Sequence, residues 1–316
     1  MAKIVVLDPL AENGLKMMED AGMEYDVRTG LKGEELRQAL TEYDGAICRS
    51  GVKITAESLE GNTTLKAIAR AGVGVDNIDL AAAKKHNIVV MNTPAGNTVS
   101  TAELTFALML AVSRNIAAAH QSLVEGRWER KELGKTSYQL GGKTLGVVGT
   151  GRVGAKVIKF AQAFDMDVIA YDPTLSEKHA KEMGVKKVET VAEMLPVIDY
   201  LTVHTPLTNE TRNLISDKEI DLMKKGAILV NCARGGIYDL DALQRGLESG
   251  KLGGVAMDVY PEEPCTDLPL FKMDHVVCTP HLGASAVEAQ VNVALEAVEI
   301  MIEYLKTGVA RNQCNK

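Results

Sequence analysis

The sequence predicts an α/β fold with parallel sheets, distributed over two domains. Short β-branched runs alternate with helical stretches along the whole chain, which is typical of parallel-sheet α/β proteins. The length of 316 residues is sufficient for two domains of ordinary size. With 46% hydrophobic and 24% charged residues, the composition is that of a globular chain with a substantial core, which excludes disordered and collagen-like classes.

The first third of the chain predicts a small sheet followed by a long helix. The predicted strands are Ile4–Leu7, Ala46–Cys48, Ala67–Ala69 and Val89–Met91. A helix is expected to begin near Thr98, because an apolar face recurs at helical period after it. Ser100 and Glu103 have the spacing of a capping box at its start.

A second set of strands predicts a larger sheet, closed by a final helix. These strands are Leu145–Val148, Val168–Tyr171, Tyr200–His204, Ile228–Asn231, Val255–Val259 and Val276–Thr279. The last helix is expected to start at Ser285, which has capping-box spacing to Glu288, and to run to about Lys306. Gly308 is its expected stop.

Charge and cysteine usage limit the classes of partner and compartment. The net charge of −7 argues against a nucleic-acid surface, which needs a basic field. No apolar run approaches the ~20 residues of a membrane span. The five cysteines are scattered and never form a C-x-x-C pair, which favours a reducing cytoplasm and predicts no metal site.

The run GTGRVG, Gly149 to Gly154, predicts a dinucleotide site. An apolar strand leads into it, an amphipathic helix follows, and a second strand ends at Asp172. Gly149 permits a tight turn, Gly151 lets the backbone approach a pyrophosphate, and Gly154 lets helix and strand pack closely. Asp172 follows at about the 20-residue spacing expected of the acid that binds ribose hydroxyls. Since no Arg stands beside Asp172 to receive a 2′-phosphate, the sequence favours NAD over NADP.

Polar residues at later strand ends supply further cofactor contacts and three catalytic candidates. The cofactor candidates are His204, Thr205, Pro206, Cys232, Ala233 and Asp258, since ligands of open α/β sheets bind at the carboxyl ends of strands. Arg234 can grip a carboxylate with two parallel hydrogen bonds. His281 can exchange a proton with a hydroxyl, and Glu263 can orient its ring. A single His is more often structural, and spacing alone does not show that Glu263 and His281 meet.

Several ordered motifs together resemble the D-isomer-specific 2-hydroxyacid dehydrogenases, most closely the phosphoglycerate-oxidising branch of that family. The matching runs, from about Arg49 to Ser285, are RAGVGVDNID, MNTPAGN, STAEL, GRWERK, LGGKTLGVVGTGRVG, YDP, VHTPLT, NCARGGI, AMDVY, EEP and TPHLGAS. The resemblance implies that Arg234 binds the substrate carboxylate, that His281 is the general acid/base and that Glu263 tunes it. It also implies cofactor contacts from Arg152, Val153, Asp172, Thr205, Cys232, Ala233, Asp258 and the segment Leu282, Gly283 and Ala284.

The same resemblance implies an architecture and an assembly. Two Rossmann-like/flavodoxin-like domains are expected: a discontinuous substrate domain, residues 1–96 plus 285–316, and an NAD-binding domain, residues 97–284, linked by two helices. Related enzymes are dimers joined through the region from Thr98 to Tyr138, in which Arg130 reaches the partner's site. Long members carry regulatory domains after the core; this sequence stops at Lys316, so we expect a short form without feedback through such a domain. Asp165 stands where relatives often have Gly at a helix end, and Asp tolerates the left-handed conformation.

The positions of basic side chains indicate which acid the protein binds. Arg49 and Arg70 each end an apolar strand and precede a glycine, Gly51 or Gly72, which fits close approach of an oxyanion. With Arg130, and more weakly Lys53, they favour a phosphate pocket, although each alone can be a surface cation. Together with these cations, the resemblance implies NAD-dependent oxidation of D-3-phosphoglycerate, the first step of the phosphorylated serine pathway. A glyoxylate or hydroxypyruvate reductase, or an NAD-binding regulator similar to the transcriptional corepressor relatives, is the alternative.

Overall fold

The chain forms twelve strands and thirteen α-helices in the computed structural model, which describes residues 2–316. The strands are β1 (Lys3–Val6), β2 (Glu24–Val27), β3 (Gly45–Cys48), β4 (Ala67–Arg70), β5 (Val89–Asn92), β6 (Thr144–Val148), β7 (Asp167–Tyr171), β8 (Lys186–Lys187), β9 (Tyr200–Val203), β10 (Ala227–Asn231), β11 (Leu252–Met257) and β12 (Val276–Cys278). The helices are α1 (Glu12–Asp20), α2 (Gly33–Leu40), α3 (Ala56–Leu59), α4 (Leu80–Lys85), α5 (Thr98–Ser113), α6 (Ile116–Val124), α7 (Arg130–Gly134), α8 (Arg152–Ala163), α9 (Glu177–Met183), α10 (Val191–Met194), α11 (Asp217–Leu222), α12 (Leu240–Glu248) and α13 (Val287–Thr307).

Two compact units are present, one of residues 1–98 with 284–316 and the other of residues 99–283. The first unit contains a five-stranded parallel sheet of order β2-β1-β3-β4-β5. This is the flavodoxin-like order, in which the sequence crosses over beside the first strand. Alternate residues of β1 face opposite sides: Ile4 packs on the side covered by α13, and Val5 packs on the side covered by α2.

The second unit contains a seven-stranded parallel sheet of order β12-β11-β10-β9-β6-β7-β8. Counted from β6, this is the Rossmann order with one more strand at its far edge. Helices α5 and α8 cover one face through Met109 and Val157, and α11 and α12 cover the other through Ile220 and Leu243. The α/β class and the two parallel sheets predicted from the sequence are confirmed.

Most predicted strands lie within two residues of the observed ones, but β2 and β8 were not predicted. Both are edge strands with half-buried or exposed residues, so their sequences show no apolar run. The predicted helix start at Thr98 and the predicted stop at Gly308 (φ +74°) are confirmed, as is the left-handed Asp165 (φ +56°).

Both predicted capping boxes are wrong. Ser100 lies inside α5, where its hydroxyl donates to the carbonyl of Gly283 at 2.8 Å. Helix α13 begins two residues after Ser285, and its N-cap is Ala286, which has no side-chain cap. Within residues 2–316, no single helix is long and apolar enough to cross a membrane; α5 and α6 reach that length only together, with a 62° bend.

Candidate active site

The glycine-rich turn after β6 has the close backbone packing that its sequence predicts. Gly149 has φ +92°, and its N–H donates to the carbonyl of Tyr171 at 2.8 Å. A β-carbon at Gly149 would lie 2.5 Å from the carbonyl oxygen of His204, and one at Gly154 would lie 2.0 Å from the carbonyl oxygen of Gly149. Gly151, the N-cap of α8, has no atom within 4 Å of that position. The turn therefore has no room for a side chain at Gly149 or Gly154, and it leaves open space at Gly151.

Asp172 closes this loop from the end of β7. Its carboxylate accepts four hydrogen bonds of 2.7–3.2 Å, from the backbone N–H and the hydroxyl of both Thr150 and Thr174. Burial alone raises the pKa of Asp172, but these hydrogen bonds outweigh it and hold the pKa below its usual value. The group is therefore a fixed negative charge beside the N-terminus of α8.

The loop, the helix N-terminus and the fixed carboxylate fit a dinucleotide. Arg152 and Val153 are the first two residues of α8, where unpaired backbone N–H groups face an anion. The open position at Gly151 lets a pyrophosphate approach the backbone, and Asp172 is placed to receive ribose hydroxyls.

The ends of β9 and β10 place the other cofactor candidates. His204 donates its backbone N–H to Val148, and burial lowers the pKa of its imidazole to about 4, so the ring is neutral. The carbonyl of Pro206, just beyond Thr205, accepts the hydroxyl of Thr211 at 2.7 Å. Burial raises the pKa of the Cys232 thiol to about 12, which makes it an apolar wall rather than a nucleophile.

The loop that carries Arg234 is held by Asn231, a fully buried residue at the end of β10. The Asn231 side chain accepts the N–H of Ala233 at 2.9 Å and donates to the carbonyl of Arg234 at 2.9 Å. One guanidinium nitrogen of Arg234 donates to the carbonyl of Ala233 at 2.7 Å. The side chain is thus bent back along its own loop.

Glu263 and His281 meet. Nδ1 of His281 lies 2.6 Å from Oε2 of Glu263, and the two side chains are 47% and 34% exposed. The other carboxylate oxygen accepts the backbone N–H of Tyr260 at 3.0 Å, which fixes the carboxylate. His281 has φ +55°, an unusual conformation for a residue with a side chain. The pair leaves Nε2 of the imidazole as the nitrogen available to a ligand.

Asp258 fixes the loop that carries His281 through three hydrogen bonds. It is fully buried at the end of β11, and its carboxylate accepts the hydroxyl of Thr279 at 2.6 Å and the backbone N–H groups of Leu282 and Gly283 at 2.7 and 2.8 Å. Burial raises the pKa of Asp258, and these hydrogen bonds only partly offset that effect. Since these three donors lie in the loop 279–283, Asp258 anchors the backbone on both sides of His281.

Gly235 brings the Arg234 loop against the Glu263 loop. A β-carbon at Gly235 would lie 1.9–2.4 Å from the backbone of Tyr260 and Pro261. Arg234, Glu263 and His281 therefore follow three consecutive strands of one sheet, β10, β11 and β12, on its carboxyl edge.

In the first unit, Arg49 directly follows β3 and Arg70 is the last residue of the neighbouring strand β4. Cys48 and Arg70 are paired in the register of β3 and β4, so the two arginines leave the same sheet edge side by side. The Nε of Arg49 is buried, and within residues 2–316 no hydrogen bond reaches it. Gly72 has φ +143°, a backbone conformation that favours glycine, and Nη1 of Arg70 occupies the space in which a β-carbon would lie. Lys53 follows in the same loop as Arg49.

Arg130 lies away from the edge of the second sheet that carries His281, whereas Ala284 directly follows Gly283 of the His281 loop in the chain. Arg130 is exposed at the start of α7, where it lines an open cavity with Arg114, Tyr138 and Lys143. Lys143 directly precedes β6, so this cavity is at the amino edge of the second sheet and not at the edge that carries His281. Ala284 belongs to the first unit.

Sequence reasoning missed the residues that hold the site. Asn231, Thr279 and Tyr260 fix the loops through buried hydrogen bonds, and only their positions at strand ends signalled them. A dinucleotide loop with an imidazole–carboxylate pair and an arginine on one sheet edge is typical of dinucleotide-dependent oxidoreductases.

Comparison with known proteins identifies the family. Residues 106–283 match the family model of the D-isomer specific 2-hydroxyacid dehydrogenase NAD-binding domain. The D-3-phosphoglycerate dehydrogenase of Methanocaldococcus jannaschii is 46% identical over 315 residues; the match covers 100% of this chain and 60% of the relative. The chain thus spans about 60% of that relative's length.

Solved structures agree over their whole length. The TT0316 protein of Thermus thermophilus has a TM-score of 0.89 and 34% identity, covering 98% of this chain and 99% of that one. The NAD-dependent formate dehydrogenase of Staphylococcus aureus, solved in complex with NAD, has a TM-score of 0.85 and 33% identity, covering 98% and 97%. The chain belongs to the D-isomer specific 2-hydroxyacid dehydrogenase family, and its cofactor is NAD.

Proposed function

We propose that the protein catalyses the NAD-dependent oxidation of D-3-phosphoglycerate to 3-phosphohydroxypyruvate, and the reverse reduction. The observation that carries the proposal is the 2.6 Å contact of His281 Nδ1 with Glu263 Oε2. A carboxylate on Nδ1 fixes the tautomer and the orientation of the ring, so Nε2 can take the proton of a substrate hydroxyl or return it to a carbonyl.

The other site residues complete the reaction. Arg234 binds the substrate carboxylate with its planar guanidinium and polarises the neighbouring carbonyl. When bound, NAD accepts the hydride from carbon 2 of the hydroxy acid. Asp172 selects NAD over NADP, because its carboxylate repels a 2′-phosphate. The cofactor contacts proposed from the sequence are Gly149, Gly151, Arg152, Val153, Gly154, His204, Thr205, Pro206, Cys232, Ala233, Asp258, Gly283 and Ala284.

The phosphorylated substrate is supported by two lines of evidence. Arg49 and Arg70 place two guanidinium groups on one sheet edge of the first unit, with Gly72 giving room to one of them. Relatives 41–46% identical over essentially the whole chain are named D-3-phosphoglycerate dehydrogenase. We propose that residues 1–96 with 285–316 bind the substrate, and that the reaction begins serine synthesis by the phosphorylated route.

Substrate preference tests this function. Purified protein would be assayed for NADH oxidation with 3-phosphohydroxypyruvate, hydroxypyruvate and glyoxylate. We expect kcat/KM to be about 100-fold higher for the phosphorylated acid, since two arginine–phosphate contacts are lost with the others. Equal or better rates with hydroxypyruvate or glyoxylate would make the protein a general hydroxyacid reductase. NADH binding without turnover would instead identify an NAD-binding regulator.

We also propose a homodimer formed through residues 98–138. This region exposes Ile116, Leu123, Val124 and Trp128 by 53–79%, and large apolar side chains exposed within one short stretch of chain are typical of a protein–protein contact. Dimerisation would bring Arg130 to the site of the partner copy. Light scattering should give twice the chain mass, and Trp128, the only tryptophan, should be shielded from acrylamide. A monomer whose tryptophan is quenched freely would contradict the dimer.

A cytoplasmic location is part of the same proposal. All five cysteines are free thiols, which is usual in a reducing compartment. Fractionation of the source cells should recover the activity in the cytosolic fraction, and recovery from a secreted fraction would contradict it.

A further inference from the structure

The loop of residues 49–52 is held at both ends by two side chains that carry no catalytic role. Oδ2 of Asp8 accepts the backbone N–H of Arg49 at 2.6 Å and, more weakly, that of Val52 at 3.4 Å. Nδ2 of Asn77 donates to the carbonyls of the same two residues at 2.7 and 2.8 Å. One side chain thus binds the two amides and the other binds the two carbonyls of one short loop.

Both side chains are themselves fixed. Asp8 is 8% exposed, and its carboxylate packs on Gly51, where a β-carbon would lie 2.3 Å from Oδ1. The segment of Asn77 is joined to the chain after the loop by a parallel bridge between Ile54 and Ile78, with hydrogen bonds of 2.8 and 2.9 Å. Asp8 and Asn77 therefore hold the loop 49–52 in place, and we call these two side chains the clamp.

The Arg49 guanidinium has hydrogen-bond donors that the described residues do not fully use. Its Nε is buried, and among residues 2–316 no acceptor reaches it, while Nη1 makes one long contact of 3.5 Å to the carbonyl of Pro9. A buried guanidinium N–H without an acceptor is rare in proteins, and an anionic ligand is the partner that suits it. Because Asp8 and Asn77 bind the backbone of Arg49, they leave its guanidinium N–H groups available to a ligand.

We propose that Asp8 and Asn77 are positioning residues that hold Arg49 for the phosphate of the substrate. This inference rests on the proposed function, in which Arg49 binds that phosphate. The two residues fix the backbone of Arg49 and its Nε is buried, so less ordering of this residue is needed when the anion arrives. Asp8 carries a negative charge that disfavours the same anion, so its presence at this position requires that the gain from positioning exceeds the repulsion.

The two effects predict opposite signs for Asp8→Asn. If positioning dominates, the KM for 3-phosphohydroxypyruvate rises about 10-fold to 100-fold. If repulsion dominates, that KM falls, and a fall overturns the proposal. The KM for hydroxypyruvate and the Kd for NADH should change less than about twofold, because the clamp acts only on the group that binds the substrate phosphate.

Asn77→Ala tests the clamp from its other side. It removes both donors to the loop carbonyls but leaves the Asp8 charge in place, so its KM effect has no electrostatic component. We expect a rise of about 10-fold for the phosphorylated acid alone. This variant also keeps the test available if Asp8→Asn does not fold.

Asp44→Asn is the matched control. Asp44 also accepts a backbone N–H, that of Lys3 at 2.8 Å, and pairs with Lys66 at 2.8 Å, but it directly precedes β3, at the amino edge of the same sheet. It should lower the melting temperature and leave every KM unchanged. A KM change in Asp44→Asn equal to that in Asp8→Asn would show general loosening of the unit and overturn the clamp.

A double-mutant cycle separates the clamp from the phosphate site itself. If Asp8 acts through Arg49, adding Asp8→Asn to Arg49→Ala should raise the KM no further than Arg49→Ala alone. If Arg49→Ala leaves the KM for the phosphorylated acid unchanged, the phosphate site of the proposed function is wrong and the clamp has no such role. If Arg49→Ala raises it but Asp8→Asn and Asn77→Ala do not, the site stands and the clamp is overturned.

Discussion

Two loops at the carboxyl ends of parallel strands, residues 49–52 in the first unit and 279–283 in the second, are held in the same way but carry different side chains. In each, a buried aspartate just beyond the end of a neighbouring strand accepts backbone N–H groups of the loop: Asp8 after β1 in the first and Asp258 after β11 in the second. The aspartate fixes the backbone in both cases and makes no hydrogen bond to the side chain that the loop presents.

The difference lies in that side chain. His281 has a carboxylate on Nδ1 at 2.6 Å, whereas the buried Nε of Arg49 has no acceptor among residues 2–316. A group that exchanges a proton needs a partner that sets its tautomer and orientation. A group that binds an anion needs its donors unoccupied until the anion arrives. The comparison thus supports the proposed roles, proton transfer for the second loop and anion binding for the first.

The largest expected effect is on His281. His281→Ala should lower kcat by roughly 10²–10⁴-fold, because the proton transfer loses its donor, while the Kd for NADH stays within about twofold. Arg49→Ala, its counterpart in the first loop, should raise KM instead and leave kcat nearly unchanged. Steady-state kinetics with fluorescence titration of NADH measure both. An unchanged kcat in His281→Ala would remove the assigned chemistry from the second loop.

The next effect is on the anchor of the same loop. Asp258→Asn places an amide where Gly283 N–H needs an acceptor, so the loop should shift and kcat should fall by roughly 10-fold to 100-fold. Asp8→Asn, the equivalent change in the first unit, should act on KM. If Asp258→Asn instead raised the KM for the acid and left kcat unchanged, Asp258 would act as Asp8 is proposed to act, and the contrast between the two aspartates would be wrong.

A third aspartate extends the comparison to a bound ligand. Asp172 accepts four hydrogen bonds from Thr150 and Thr174, and it is also proposed to receive the ribose hydroxyls. Asp172→Ala should lower the kcat/KM preference for NADH over NADPH by about tenfold, since the repelled 2′-phosphate becomes acceptable. An unaltered preference would place the ribose contact on another residue.

The smallest expected effect is on the free energy of unfolding of the second unit. Burial lowers the pKa of His204 to about 4, whereas an unfolded His has a pKa near 6.5. The unfolded state therefore takes up the proton first, so the contribution of His204 is complete above pH 6.5 and is lost as the pH falls towards 4. The second unit should lose on the order of 1–3 kcal/mol in that window. Hydrogen exchange of β9 measures it, and His204→Gln should remove the part of the pH dependence that His204 contributes.

The sheets were largely predictable because their central strands are apolar on both faces. β3, β4 and β10 are buried at nearly every residue, so their sequences show continuous apolar runs. β2 and β8 lie at sheet edges with exposed residues, and no run reveals them. The capping box at α5 failed because Ser100 bonds to Gly283, far along the chain, in place of its own helix.

The candidate site residues could be chosen from the sequence, but the contacts between them could not. The glycines and Asp172 are close in sequence and lie on one strand–turn–helix–strand unit, so their arrangement follows from spacing. Glu263 and His281 meet only because β11 and β12 are adjacent in the sheet, which spacing does not determine. The roles of Asp8, Asn77 and Asn231 depend on hydrogen bonds to distant or irregular backbone, which leave no periodic signal in the sequence.

One isotope experiment tests the central claim most directly. Enzyme would be mixed with NADH carrying deuterium at both C4 positions and with 3-phosphohydroxypyruvate, and the product would be resolved by mass and by chirality. The account predicts D-3-phosphoglycerate with one deuterium on carbon 2, because hydride comes from the nicotinamide and the proton from His281. Product without deuterium, the L isomer, or no product from a protein that binds NADH would contradict it.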